Sequence, residues 1–225
     1  MTKDKTYKTR ILKIELIALN VKRFILEKPK GYSFKSGQAA EVSIEKSGWE
    51  NEKSPFTFAC LDNDAYLEII IKINPEHKGL TGQINLLKEG DYLIIGDPWG
   101  KIQYKGPGIF IAGGTGVTPF LSIFRQLKAE NKIKGNTLLF SNKTEADIIL
   151  KDELIEMLGD KVHFVLTQEQ KDPYDFGRID ETYLKSKIHD FNQHFYFCGP
   201  RLMIEEMQKI LKSLGAKTDT LFFKE

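Results

Sequence analysis

Residues 109–120 read IFIAGGTGVTPF, and residues of these types in this order can hold an anion. The apolar run Ile109 to Ala112 has the character of a buried parallel strand. Gly113, Gly114, Thr115 and Gly116 follow as a tight turn, and Thr118 and Pro119 open a helical pattern that runs to about Ala129. Proline suits the first helical turn because the N–H it lacks would be unpaired there. Glycines let a phosphate approach the backbone, and the N–H groups and dipole of a helix start favour negative charge. An ordinary strand-to-helix turn would carry the same glycines, but the elements downstream favour a nucleotide pyrophosphate. Cys198-Gly199-Pro200 closes another apolar run, His194–Cys198, and so belongs at the same edge of a sheet. Cys60 and Cys198 are two thiols, too few for an iron–sulfur cluster with four cysteine ligands. His77, His163, His189 and His194 show no metal-ligand spacing.

Two kinds of element surround these residues. In the first half, Lys8–Ala18, Val21–Leu26, Gln38–Ile44, Phe56–Cys60, Tyr66–Ile73 and Asp91–Gly96 read as short strands separated by turn signals, with a helical turn over Ile84–Lys88. This grammar predicts an antiparallel β-barrel or sandwich. In the second half, strands at Ile109–Ala112, Thr137–Phe140, Val162–Thr167, His194–Cys198 and Thr220–Phe223 alternate with helices to Ala129, over Ile148–Leu158, over Glu181–His189 and over Arg201–Leu214. That alternation predicts an α/β doubly wound parallel sheet with its ligands beyond the carboxyl ends of the strands. The boundary is expected within Gln103–Gly108, giving domains 1–104 and 105–225.

Lysine plus arginine total 33 and aspartate plus glutamate 31, interspersed, so no broad basic field points to nucleic acid. The polar start Met1-Thr2-Lys3-Asp4-Lys5 leads into no long apolar run, so neither a signal peptide nor a membrane span is expected and a cytoplasmic location is the default.

From about Tyr7 onward the chain resembles the ferredoxin–NADP reductase superfamily, with its motifs in the family's order. Phe34-Lys35-Ser36-Gly37-Gln38 is similar to F-x-x-G-Q, Ser54-Pro55-Phe56-Thr57 to R-x-[YF]-[ST], and Lys78-Gly79-Leu80-Thr81 to G-x-[ST]. Gly96-Asp97-Pro98-Trp99-Gly100 is similar to G-P-x-G, Ala112 to Pro119 to A-G-G-x-G-x-T-P, and Cys198-Gly199-Pro200 with Met203 to C-G-P-x-x-M. The resemblance implies a flavin-binding barrel, a nicotinamide-nucleotide domain, and hydride transfer from NAD(P)H to bound FAD. Electrons then leave for an external acceptor such as ferredoxin, flavodoxin or an oxygenase component. Rival readings are a nonredox nucleotide-binding regulatory module, an electron-transfer subunit that functions only inside a complex, and a reductase that uses free flavin as substrate.

The same resemblance implies roles for single residues. Phe56 would lie on the flavin ring and the Thr57 hydroxyl near its N5, although Phe56 also reads as core and Thr57 as a strand-favouring β-branched residue. Ile71 and Lys72 would meet the ring edge; Lys72 reads equally as a solvated lysine. Gly79, Leu80 and Thr81 would hold a flavin phosphate, or Thr81 would be a plain helix cap. Ser54 stands where the family has arginine, with Lys53 beside it, so FAD is expected with FMN as the alternative. Gly113, Gly114, Thr115, Gly116 and Thr118 would cradle the nicotinamide nucleotide, and Cys198, Gly199 and Pro200 would approach its ring, unless Cys198 is an inert buried thiol. Ser141 and Lys143 could accept a 2′-phosphate and tip the donor toward NADPH, while Asn142 suits a plain ribose and Glu145 and Asp147 oppose a strongly basic pocket. Phe222 or Phe223 would cover the flavin ring, or both would fill the last strand.

Overall fold

The computed structural model describes residues 5–74, 78–100, 102–217 and 221–224, with the backbone alone at 222–224. Met1 to Asp4, His77 and Thr220 lie outside the described residues, as do the side chains of Phe222 and Phe223. The chain divides into two compact units, Met1–Gly100 and Lys101–Glu225.

The first unit is an antiparallel sheet of β1 (Thr6–Ala18), β2 (Val21–Glu27), β3 (Ala39–Ile44), β4 (Ser54–Thr57), β5 (Tyr66–Lys72) and β6 (Tyr92–Gly96), in the order β4-β3-β6-β1-β2-β5. β1 changes partner along its length, pairing with β6 through Thr6–Arg10 and with β2 from Ile11 onward. Register shifts at Ile11/Lys13 and Leu16/Ala18 bend it. A bridge between Phe58 and Ile69 joins the chain after β4 to β5, so the two ends of the sheet meet. Phe24, Leu26, Phe58, Ile69, Leu93 and Ile95 fill the interior. Among the described residues of this unit the one buried carboxylate, Glu68, has no exposed side-chain surface and pairs across strands with Arg23 at 3.1 Å; Arg23 also lies 3.5 Å from Glu15.

The helix of this unit differs from the sequence expectation. It is α1, Leu80–Ile84, and not Ile84–Lys88. Leu80 and Ile84 stand four residues apart and bury together, whereas Leu86 is 65% exposed and the Lys88 N–H is taken by the Asp91 carboxylate at 2.8 Å.

The second unit contains β7 (Gly108–Gly113), α2 (Thr118–Ala129), β8 (Thr137–Asn142), α3 (Lys151–Leu158), β9 (Val162–Leu166), β10 (Asp175–Phe176), α4 (Glu181–Lys187), β11 (His194–Cys198), α5 (Arg201–Ser213) and β12 (Leu221–Lys224). The strands form a parallel sheet in the order β10-β9-β8-β7-β11-β12. Every residue of β7 is buried, as a central strand covered on both faces requires. β10 was not expected; two residues are too few for a hydrophobic period to show. α3 begins at Lys151 and not Ile148 because Leu150 takes a left-handed backbone, φ +49°. α4 stops at Lys187, since Ile188 is already extended.

Candidate functional site

β7, β8 and β11 end side by side, with Gly113 opposite Ser141 and Ala112 opposite Cys198. The chain moves from β7 to β8 and β9 on one side and later adds β11 on the other. The glycine turn therefore sits at the point where strand order reverses, the usual ligand crevice of an open parallel sheet. Gly114 to Val117 form one 3₁₀ turn that runs directly into α2, which starts with no side-chain cap. A Cβ on Gly116 would stand 2.1 Å from the Cys198 carbonyl oxygen and 2.7 Å from the Gly199 nitrogen. A Cβ on Gly113 would stand 2.6 Å from Met203 Sδ, whereas one on Gly114 would meet nothing within 4 Å. Two glycines thus let the turn press on the 198–200 segment, and Gly114, at φ +53°, faces open space. That is a cradle for a phosphate, so the residues fit a nicotinamide nucleotide.

The sequence-predicted residues of this unit fall into one neighbourhood. Gly113 and Gly116 touch the Cys198-Gly199-Pro200 segment, Gly114 and Thr115 lie between them in the turn, Ser141 flanks Gly113, and Thr118 is buried at the first residue of α2. Cys198 is buried but not sealed, at 9% exposed, and Lys143 is exposed one residue beyond β8. Asn142 is 5% exposed, and neither atom of its side-chain amide has a hydrogen-bond partner.

In the first unit, Ser54 is half-buried at the start of β4, Phe56 packs partly against the core, and Thr57 is buried. Ile71 and Leu80 point into the core, Ile71 opposite Lys22 in the β2–β5 ladder, and Lys72 is exposed. Thr81 is not the helix cap; Gly79 is, in extended backbone and with no side-chain hydrogen bond to the first turn. The Gly82 and Gln83 amides donate back to Gly79 O, at 3.0 and 3.2 Å, so an anionic group such as the FAD phosphate would be met by the first two amides, those of Leu80 and Thr81. Gly37, at φ +88°, closes the turn in which Gln38 N–H donates to Lys35 O at 3.0 Å. Cys60, in the core, is an inert thiol whose pKa burial pushes up to about 12.

One cluster escaped the sequence reading. The Glu145 carboxylate accepts from Lys171, from the Tyr174 hydroxyl and from Lys151, the last at 2.9 Å, and these bonds hold its pKa down to about 2. Its own N–H donates to the Glu169 carboxylate at 2.7 Å. The partners lie up to 29 residues away, beyond any local pattern. The local signal is the capping box, in which Thr144 and Asp147 satisfy each other around the turn that carries Glu145.

A barrel followed by a parallel sheet with a glycine cradle at its switch point defines a two-domain, nucleotide-binding protein. The chain matches the FAD-binding domain family over residues 6–89 and the oxidoreductase NAD-binding domain family over residues 110–209. It belongs to the ferredoxin–NADP reductase superfamily of FAD- and NAD-binding reductases. It is 24% identical to the reductase component of propane 2-monooxygenase from Rhodococcus jostii, over 96% of this chain and 62% of that one. It is 26% identical to NADH–cytochrome b5 reductase 1 of Arabidopsis thaliana, over 95% of this chain and 82% of the relative. A ferredoxin NADP+ reductase from Neisseria gonorrhoeae, solved with FAD and NADP, shares the fold with a TM-score of 0.85 at 17% identity, over 99% of both chains. The chain spans less than two thirds of the length of the Rhodococcus relative. No helix among the described residues is long and apolar enough to cross a membrane.

Proposed function

We propose that this chain carries electrons from NAD(P)H through bound FAD to a separate acceptor protein in the cytoplasm. Residues 1–104 hold the flavin and residues 105–225 the nicotinamide nucleotide. The observation that carries this reading is the backbone contact of Gly116 with Cys198 and Gly199 at the switch point, because it joins the two predicted nucleotide motifs in one cradle. The bound flavin supplies the chemistry, accepting a hydride and releasing electrons one at a time. The protein's part is position and charge. The glycine turn, Gly113 to Gly116, and Thr118 cradle the nucleotide pyrophosphate, and Cys198 to Pro200 bound the nicotinamide as a neutral surface. Phe56 packs on the flavin, Thr57 donates or accepts at its edge, Ile71 and the Lys72 ammonium border its polar rim, and Gly79 to Thr81 hold a phosphate through backbone N–H groups. Ferredoxin, flavodoxin and an oxygenase component are the acceptor classes; kinship with an oxygenase reductase supports the last.

Anaerobic stopped-flow absorbance tests the reading. Protein reconstituted with FAD should lose its flavin band on mixing with NADH or NADPH, and retain stoichiometric flavin through gel filtration. A flavin band unmoved by both nucleotides would make the chain a nonredox nucleotide binder; flavin lost on the column would make it a free-flavin reductase.

The grip on FAD gives a second expected result. With Ser54 in place of arginine, no bidentate phosphate contact comes from the start of β4. Ser54→Arg is expected to slow FAD loss during ultrafiltration by about tenfold. An unchanged rate would place the FAD phosphates away from β4.

A further inference from the structure

We propose that Glu145 steers donor choice to the unphosphorylated nucleotide, NADH, by engaging the cations at the carboxyl edge of β8 and β9. The inference rests on the nicotinamide-nucleotide reading above. β8 and β9 stay paired past their last ladder residues, because Thr167 N–H donates to Asn142 O and Gln168 N–H to Lys143 O, both at 2.9 Å. Residues 143–145 and 167–169 therefore share one edge, and Glu145 N–H on the Glu169 carboxylate closes it. In an open parallel sheet the adenosine ribose is read beyond the end of the second strand, by an acidic group for plain hydroxyls or by a cation for a 2′-phosphate.

The cations here are Lys143, Lys151 and Lys171, and two of the three lie on Glu145. The facing carboxylates are Glu145, Asp147, bound to the Thr144 amide and hydroxyl, and Glu169. A phosphate dianion entering this edge meets as many carboxylates as cations, and it must pull Lys151 and Lys171 from a carboxylate they already satisfy. Asn142, at the tip of β8, adds a buried amide with both atoms unpartnered. An amide offers a donor and an acceptor together, which matches ribose hydroxyls and not a dianion. Ser141 and Lys143 taken alone tip the donor toward NADPH; the charge pairing reverses that balance.

The test reads binding as well as turnover. Calorimetric titration of the FAD-loaded protein with adenosine 5′-monophosphate and with adenosine 2′,5′-bisphosphate isolates the contribution of the 2′-phosphate. Wild-type protein should bind the monophosphate at least as tightly. Glu145→Gln, which releases two lysines, should move the affinity ratio toward the bisphosphate by about tenfold. Lys171→Gln, at an exposed lysine, should move it the other way. The kcat/KM ratio for NADPH over NADH should follow the same signs. A wild-type preference for the bisphosphate overturns the proposal, as does a ratio indifferent to both substitutions. Should Glu145→Gln fail to fold, the wild-type ratio and Lys171→Gln still decide. Absence of binding by either adenylate, at millimolar concentration and in every variant, would instead remove the nucleotide reading itself.

Discussion

Gly116→Ala is expected to lower kcat/KM for nicotinamide-driven flavin reduction by about a hundredfold, with a loss of about 3 kcal/mol in stability. The reason is where the new methyl would go. It would stand 2.1 Å from the Cys198 carbonyl oxygen and 2.5 Å from the carbonyl carbon, and those are backbone atoms at the end of a central strand. No rotamer change relieves the overlap, so the start of α2 and the end of β11 must separate. Arg125 on α2 grips Glu153 on α3 in a two-point ion pair, at 2.6 and 2.9 Å, so α2 does not shift alone. Gly114→Ala is the comparison. Its Cβ meets nothing within 4 Å, and the left-handed φ of +53° should cost only about 1 kcal/mol. Urea unfolding and stopped-flow reduction of both variants check the pair. A Gly116→Ala protein as stable and as fast as Gly114→Ala would show that the two loops are not held in contact.

Arg23→Ala carries the second large effect, on stability alone. Glu68 has no exposed surface, and Arg23, one quarter exposed, holds it across β2 and β5 at 3.1 Å. Removing the guanidinium leaves a carboxylate in the barrel wall without its ion-pair partner, at a cost of about 3–5 kcal/mol. Replacing both residues, Arg23→Met with Glu68→Leu, should return most of that loss, because the buried charge goes with its partner. Urea midpoints at unchanged m-value measure both. An Arg23→Ala variant within about 1 kcal/mol of wild type would mean that Glu68 draws its support from elsewhere.

The sequence reading succeeded where a feature is a short-range property of the chain. The runs Val21–Leu26 and Ile109–Ala112 bury because their apolar residues leave no other course, and β2 and β7 match them to within a residue or so. Thr118 and Pro119 mark the start of α2 because a proline ring excludes most other helical positions. The glycines of residues 113–116 mark a turn open to close backbone approach, and Gly113 and Gly116 also meet the 198–200 segment. The reading failed where local preference was overruled. The pattern from Ile148 looks helical, but Leu150 adopts φ +49° and the helix waits until Lys151. Thr81 has the residue type of a cap, yet the backbone at Gly79 does the capping.

The order of apolar runs, glycines and prolines along the chain thus sufficed for a barrel followed by a nucleotide-binding sheet, since each depends on neighbours a few residues apart. Which groups neutralise one another was settled by folding. Glu145 finds Lys171 and Tyr174 across more than twenty residues, and Arg23 finds Glu68 across 45. A charge's partner is whatever the strands bring within a few ångströms, and sequence separation carries almost no information about that distance.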